Sequence, residues 1–225
     1  MVIFILLIKK EYFSGMLTKQ ELRSQTTKKE ILAASALLFA TKGFDSVTMR
    51  EIAKAAGCSH TTIYIYFKDK EALLHQLSMP PLEAIQTQMK HISLQLDLSP
   101  EEKLKRVSLE FIQFCLLHRN IYSIFMTVKA SRVDIEVSDN EINSMRISLF
   151  NLLEQSLQQY LVIEGDDERL LMYTRIYFYT LHGIISLYTG SEESLESMME
   201  RLLPTFEAAI EVLLIGFKVK LKGEK

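Results

Sequence analysis

Residues 48–67 read TMREIAKAAGCSHTTIYIYF, a stretch in which apolar residues recur among polar ones. Thr48 and Glu51 have the spacing of a capping box, in which two side chains satisfy free amides at the start of a helix. Gly57 follows, where a left-handed backbone costs glycine nothing, and Ser59 can cap a second helix through its hydroxyl. The stretch therefore predicts two short helices joined by a tight turn.

The second of these helices is predicted to have two different sides. Ile63 and Phe67 lie four residues apart and are predicted to face inward. His60, Thr61 and Tyr64 remain on another side, where each can form hydrogen bonds. A helix, a glycine turn and a second helix with an outward polar end form the helix-turn-helix arrangement that reads a DNA major groove.

A longer helix is predicted before this motif. Thr27 and Glu30 form a second capping box, which predicts that the helix opens there and ends at Gly43. Residues 19–25 are polar and are predicted to fray as a solvated tail, or alternatively to form an arm that reaches DNA. The predicted inward residues, which close a three-helix core, are Ile31, Leu32, Ser35, Leu38, Phe39, Phe44 and Val47.

Residues 28–74 resemble the DNA-binding domain of the TetR/AcrR family of bacterial transcriptional regulators. The resemblance lies in LFATKGF at the end of the first helix, then IAKAAG, Ser59, the T-x-Y-x-YF run and the closing KDKEALL. It covers about the first third of the chain. It implies an all-α protein with an N-terminal three-helix helix-turn-helix domain and a larger helical-bundle domain for ligand binding and dimerisation.

The resemblance also implies which side chains contact DNA. The residues implied to contact base edges are Arg50, His60, Thr61, Thr62 and Tyr64. Those implied to contact phosphates, which fix register rather than sequence, are Thr48, Ser59, Tyr66 and Lys70. Thr61 departs from the glycine, proline or alanine usual at its position, so the preferred bases are not predicted.

Composition agrees with a soluble helical protein. The 225 residues are 48% hydrophobic and 24% charged, with only 8 glycines and 4 prolines. Residues 1–79 carry a net charge of +4 and residues 80–225 a net charge of −6. A basic first part suits contact with phosphates, although an excess this small also arises by chance.

Three segments are predicted: an extension over 1–24, the DNA-binding domain over 25–85, and the ligand-binding and dimerisation domain over 86–225. The extension begins with an apolar run before Lys9 and Lys10 that is too short to span a bilayer. Met16 is an alternative start, because the residues after it resemble an ordinary family N-terminus. The other interpretation is an extra segment that packs on the dimer.

A fourth helix is predicted from the KDKEALL run onward. Pro80 and Pro81 predict a kink or break near Ser78–Met79, which acts either as a hinge or as a passive bend. Ser99 and Pro100 predict the start of the next helix. The further elements are predicted as helices over 100–118, 121–130, 143–162, 166–188, 191–203 and 204–220, the last pair bent or restarted at Pro204, with a loop over 132–141.

The resemblance implies a ligand pocket in the second domain and a dimer interface on its last two helices. The residues predicted to line the pocket are Phe111, Phe114, His118, Tyr122, Met126, Arg175, Phe178 and His182. The predicted dimer contacts are Ile184, Ile185, Leu187, Leu213, Leu214 and Phe217. For both sets the alternative interpretation is packing within one chain.

These features predict a cytoplasmic, homodimeric regulator that represses transcription from a near-palindromic operator and is released by a small apolar or amphipathic ligand. An activator or ligand-independent regulator of the same fold is the alternative, and an enzyme with a vestigial DNA module is a rival of another class. No catalytic motif and no cofactor site is predicted. No metal site is predicted either, because Cys58 and Cys115 lack the spacing of metal ligands. No membrane segment is predicted.

Overall fold

The computed structural model describes residues 18–119, 122, 134, 141–164 and 167–223, and the regular structure of these residues is entirely helical. The all-α class is therefore confirmed. The predicted helix over 121–130 and loop over 132–141 lie almost wholly outside the described residues. None of the described helices is long and apolar enough to cross a membrane. The helices are α1 (Lys19–Lys42), α2 (Met49–Ala55), α3 (His60–Tyr66), α4 (Lys70–Leu94), α5 (Pro100–Leu117), α6 (Glu141–Leu161), α7 (Glu168–Tyr188) and α8 (Leu195–Gly223).

The chain divides into two compact units, and the division falls after Leu73, inside α4. The first unit holds α1, α2, α3 and the start of α4. The second unit holds the rest of α4 and the four longer helices that follow. The predicted domain boundary at residue 85 lies within the same helix, further along the chain.

Helix α1 starts earlier than predicted. Its capping box is formed by Thr18 and Glu21: the Thr18 amide donates to Glu21 Oε2 at 2.7 Å, and the Glu21 amide donates to Thr18 Oγ1 at 3.2 Å. The expected start at Thr27 and the expected tail over residues 19–25 are both wrong. No helix breaker separates the two boxes, so a helix that starts at the first continues through the second. The predicted end at Gly43 is confirmed, with φ of +82°.

Helix α4 continues through Pro80 and Pro81, so the predicted break is wrong. Each proline lacks the amide that would bond to the carbonyl four residues earlier. The helix is held instead by its apolar face, since Leu82, Ile85 and Met89 are buried. Pro80 frees the carbonyl of Gln76, an exposed residue, and this carbonyl can bond to water.

The second unit has a core built from α5 to α8. Helix α5 begins with the predicted Ser99 cap, and Leu149, Leu152, Leu153 and Leu157 of α6 are all buried. The rings of Tyr173 on α7 and Phe217 on α8 stack with centroids 4.7 Å apart. Helix α8 runs through Pro204 without the expected restart.

A buried hydrogen bond joins α5 to α7. The Ser108 hydroxyl donates to the Leu104 carbonyl at 2.7 Å, so it accepts from the Tyr177 hydroxyl at 2.6 Å. Both side chains are fully buried. Burial raises the pKa of Tyr177, because an ionised phenolate would lose its hydration there.

We expect the two ends of this bond to differ in importance. Tyr177→Phe leaves Ser108 bonded to Leu104 and should lower the free energy of unfolding by about 1 kcal/mol. Ser108→Ala leaves a buried phenol donor without a partner and should cost more, up to about 3 kcal/mol. Urea unfolding of both single variants and of the double variant measures this. A double variant as unstable as the sum of the singles would contradict the coupling.

Candidate nucleic-acid interface and ligand site

The turn between α2 and α3 is closed by the backbone itself. Gly57 has φ of +68°, in the left-handed region. Its amide donates to the Lys54 carbonyl at 3.3 Å, and the Cys58 amide donates to the Ala53 carbonyl at 3.0 Å. This pair of bonds is a Schellman motif, which ends α2 and sets the direction in which α3 begins.

Both predicted helix caps are present. The Thr48 amide donates to Glu51 Oε2 at 2.9 Å, and the Ser59 hydroxyl accepts from the Thr62 amide at 3.0 Å. The hydrogen bond from the Thr48 backbone, together with Lys42 at 3.1 Å, lowers the pKa of Glu51 to about 2. The carboxylate therefore stays charged at physiological pH and holds the start of α2.

Helix α3 buries one side and exposes the others. Ile63 is buried, as is Phe67 just beyond the helix. Tyr64 is 48% exposed, and its ring meets the ring of His60 edge to face at 5.2 Å. The residues predicted to contact base edges are exposed apart from half-buried Thr62, and they are Arg50 on α2 and His60, Thr61, Thr62 and Tyr64 on α3.

Ile65 is a surface residue of α3 that the sequence prediction missed. It is 76% exposed, beside Tyr64. The signal was available in the spacing, because Ile65 lies two positions from inward Ile63 and so cannot share its face of a helix. An exposed isoleucine on such a helix offers an apolar contact of the kind that a thymine methyl group makes.

The residues predicted to contact phosphates differ in how free their side chains are. Thr48 and Ser59 are exposed and Tyr66 is half-buried. Lys70 already has protein partners: its Nζ donates to the Phe44 carbonyl at 2.8 Å and lies 4.6 Å from the centre of the Phe44 ring. Lys68 is exposed on the chain just before it. Lys70 thus stabilises the connection after α1, a role that the sequence did not predict.

In the second unit, three of the predicted pocket residues lie together. The Tyr122 hydroxyl bonds to His182 Nδ1, and the His182 ring is parallel to that of Phe178, with centroids 6.3 Å apart. Burial raises the pKa of Tyr122 and lowers the pKa of His182. Both groups are therefore neutral near pH 7, and the tautomer of the imidazole sets which of them donates the hydrogen bond.

The other predicted pocket residues are placed elsewhere or lie outside the described residues. The rings of Phe114 and His118 lie 4.8 Å apart, and Phe111 is buried in the core. Arg175 pairs with Asp134, with Nε 2.7 Å from Oδ2. Met126 lies outside the described residues.

A groove between α4 and α6 was not predicted. It has a volume of about 480 Å³, and none of the predicted pocket residues lines it. Across it, His75 Nε2 lies 2.5 Å from Glu141 Oε2 and Gln86 Nε2 lies 2.5 Å from Ser148 Oγ. Among the residues that the structure describes, no group of three or more His, Cys, Asp or Glu side chains is arranged to hold a metal ion.

Sequence comparison places the first unit in a known class. Residues 31–77 match the profile of the family described as bacterial regulatory proteins, tetR family. An uncharacterized HTH-type transcriptional regulator of Bacillus subtilis, YerO, is 35% identical over 89 residues, which are 39% of this chain and 31% of YerO. The chain therefore matches about a third of the length of that relative.

Structural comparison extends the similarity to most of the chain. A TetR-family transcriptional regulator from Bordetella parapertussis has a TM-score of 0.64 at 18% identity, with 80% of this chain and 93% of that chain covered. FadR from Bacillus subtilis, in complex with stearoyl-CoA, has a TM-score of 0.56 at 19% identity, with 83% and 97% covered. At these identities the similarity shows a shared fold.

The capped helices, the glycine turn and the exposed polar face of α3 define a helix-turn-helix unit of the kind that binds DNA. The profile match covers the same residues, so residues 31–77 carry the DNA-binding region of the family of bacterial regulatory proteins described as the tetR family.

We expect His182 to make the protein less stable in acid. Its pKa is lower in the folded chain than the ordinary value of about 6.5, so the unfolded state binds a proton more readily. Stability is therefore lost as the pH falls below about 6.5 and stops falling once the pH is below the folded pKa. Comparing melting temperatures at about pH 7.5 and 5.5 should show a smaller loss for His182→Gln than for the unchanged protein.

His91→Gln is the matched control, because His91 is an exposed histidine in the same unit. It should keep the acid sensitivity of the unchanged protein. Equal acid sensitivity in the His182→Gln variant would contradict the assignment of a half-buried neutral imidazole.

Proposed function

We propose that this protein is a homodimeric repressor that binds a near-palindromic operator in the cytoplasm and is released by a small amphipathic ligand. The observation that carries the DNA-binding part is the exposed surface of α3, with His60, Thr61 and Tyr64 held outward by a capped and glycine-turned backbone. One helix of this length contacts few base pairs, so specific binding requires two copies.

Exposed apolar stripes on α7 and α8 support the dimer. Their members are separated by three or four residues, or by eight between the last two of α7, and such a spacing marks one helical face. An apolar face of this kind on a soluble protein usually contacts a partner. Packed across a two-fold axis, the two helices of each copy would form a four-helix bundle. The exposed members are Met172, Ile176, Tyr179, Leu187, Val212, Ile215 and Val219.

The dimer contacts named from the sequence are only partly suited to this face. Ile185, Leu214 and Phe217 are buried within a single chain and fill its core. Leu187 is 78% exposed and belongs to the apolar stripe of α7. Ile184 and Leu213 are half-buried.

The ligand is proposed to bind near the Tyr122–His182 pair. A neutral phenol and imidazole beside the Phe178 ring offer hydrogen bonds at the edge of an apolar surface, which suits a molecule with a polar and an apolar part. Stearoyl-CoA, which FadR of Bacillus subtilis holds in its crystal structure, is a molecule of this general kind. That similarity supports the class of ligand.

Release would proceed by a shift between two states. The ligand favours the conformation in which the two α3 helices no longer match the one-turn spacing of the operator. Helix α4 supports this route, because it is one helix that begins in the first unit and ends in the second. Pro80 and Pro81 remove two of its hydrogen bonds, and we include a hinge at that point in the proposal.

Binding to the DNA upstream of the protein's own gene, compared with scrambled DNA at matched salt, tests the proposal. A tight complex containing one or two dimers on a near-palindrome is expected. Equal affinity for both DNAs at every salt concentration would contradict sequence-specific binding to that region. Candidate ligands are then screened for the ability to dissociate the protein from this DNA.

We predict that substitutions on the DNA-binding surface separate two kinds of contact. Tyr64→Ala should reduce the preference for operator over scrambled DNA by about tenfold, because a base contact contributes about 1–3 kcal/mol of discrimination. Lys68→Ala should weaken binding to both DNAs alike, and it should reduce the magnitude of the slope of log affinity against log salt by about one. Fluorescence anisotropy with both DNAs at several salt concentrations measures this.

Lys70→Ala should also weaken binding to both DNAs. In addition it should lower the melting temperature, since it removes the bond to the Phe44 carbonyl. A changed operator preference in the Lys70→Ala variant would show that the assigned contact is wrong.

The dimer predicts that Gly183 is critical for assembly. Gly183 lies in the exposed stripe of α7, and a side chain added there meets nothing within 4 Å in a single chain. Gly183→Trp should leave each chain folded yet overpack the interface, weakening dimerisation by about tenfold to a hundredfold. Sedimentation equilibrium measures the dissociation constant, and operator affinity should fall with it.

Gly190→Trp is the control, because Gly190 is equally open but lies beyond the end of α7. The Gly190→Trp variant should remain as dimeric as the unchanged protein. A Gly183→Trp variant that still sediments as an intact dimer would exclude this face as the interface.

A further inference from the structure

A second candidate binding site lies at one end of the helical bundle of the second unit, where α6 ends, α7 begins and α8 ends. A cavity of about 500 Å³ opens there, within the size range of about 300–1,000 Å³ that is usual for small-molecule sites. It shares no residue with the Tyr122–His182 cluster. Its lining residues are Tyr160, Leu161, Val162, Ile163, Arg169, Lys218, Leu221 and Lys222.

The charged residues that line this end cavity are all cations. Lys218 Nζ lies 3.7 Å from the centre of the Tyr160 ring, held over its face as a cation–π contact. Lys222 is exposed one helical turn further along α8. Among the described residues, neither lysine forms an ion pair with a carboxylate. Two like charges at this spacing on a helix repel each other, and a bound anion would relieve that repulsion.

The third cation of the cavity is already compensated. Arg169 forms a two-point contact with Asp167, with Nε 3.0 Å from Oδ1 and Nη2 2.7 Å from Oδ2. This contact lowers the pKa of Asp167 to about 2. The net positive charge available to a ligand therefore comes from Lys218 and Lys222.

The remaining lining is apolar. Leu161 and Leu221 are buried, and Ile163 is half-buried. Val162 has φ of +56° and is an 87% exposed apolar residue of the cavity lining. A β-branched residue seldom adopts this backbone conformation, and residues held in unfavourable backbone conformations occur often at binding sites.

We propose that the end cavity binds an amphipathic anion: a carboxylate or phosphate monoester with an aliphatic chain. Lys218 and Lys222 hold the anionic head by charge-assisted hydrogen bonds, and Leu161, Ile163 and Leu221 take the chain. The ring of Tyr160 keeps the Lys218 amine over the cavity. This site is additional to the effector site proposed near His182.

The test uses three ten-carbon probes, decanoate, decyl phosphate and neutral decanol, titrated into the full-length protein by calorimetry. Either anion should bind more tightly than decanol. Lys218→Gln/Lys222→Gln should weaken binding of that anion at this site by about tenfold or more, since a hydrogen bond to a charged group is lost. Lys218→Arg should retain binding, because the cation remains.

Lys220→Gln is the matched control, since Lys220 is an exposed lysine of the same helix end that does not line the cavity. It should leave binding of the anion unchanged. His182→Gln separates the two sites: it should alter only binding near Tyr122, and the stoichiometry should fall by one site in the Lys218→Gln/Lys222→Gln variant.

Three results would overturn the proposal. They are no preference for either anion over decanol, undiminished anion binding in the double variant, and an equal loss in the Lys220→Gln variant. Far-ultraviolet circular dichroism and operator binding without ligand verify that the variants are folded. Operator binding also tests the regulator assignment separately, so failure of one proposal is distinguishable from failure of the other.

Discussion

The left-handed turn at Gly57 is the constraint on which the DNA-binding surface depends. Two backbone bonds, from the Gly57 and Cys58 amides to carbonyls of α2, close the turn. They set where α3 starts, and the Ser59 cap then fixes its first turn. Any other residue at Gly57 would have to adopt an unfavourable backbone conformation, and the direction of α3 would change with it. The outward position of Tyr64 is therefore determined by the backbone before side-chain packing contributes.

Packing on the opposite side of α3 completes this arrangement. Ile63 is wholly buried and Phe67 nearly so, which leaves the helix one way to lie on the unit. Lys70 adds a bond to the Phe44 carbonyl and a contact with the Phe44 ring, so the first residue of α4 also holds the connection between α1 and α2. A lysine at this position serves the fold even without DNA. Its charge remains available to phosphates only to the extent that these contacts allow.

Most of the first unit was predictable from sequence because its signals are local. Thr48, Glu51, Gly57 and Ser59 act within a few residues of their own positions, and each was found where it was predicted. The start of α1 was not predictable, because Thr18 and Thr27 both have the sequence spacing of a capping box, and the sequence does not say which of them begins the helix. The predicted break near Pro80 was wrong for another reason. Burial of Leu82 and Ile85 depends on distant helices, and it outweighs two lost hydrogen bonds.

The second unit shows the limit of periodicity more sharply. The spacing of apolar residues on α7 and α8 predicts that one face of each helix is covered, but it does not say whether the same chain covers it. Ile185 and Leu187 are two residues apart, and one is fully buried while the other is 78% exposed. Tyr179 and Leu187 continue a second apolar face that the single chain leaves in water. When a helix has apolar residues on two faces, packing within its own chain buries only one of them. The exposed face therefore argues for a partner more strongly than the total hydrophobicity of the helix does.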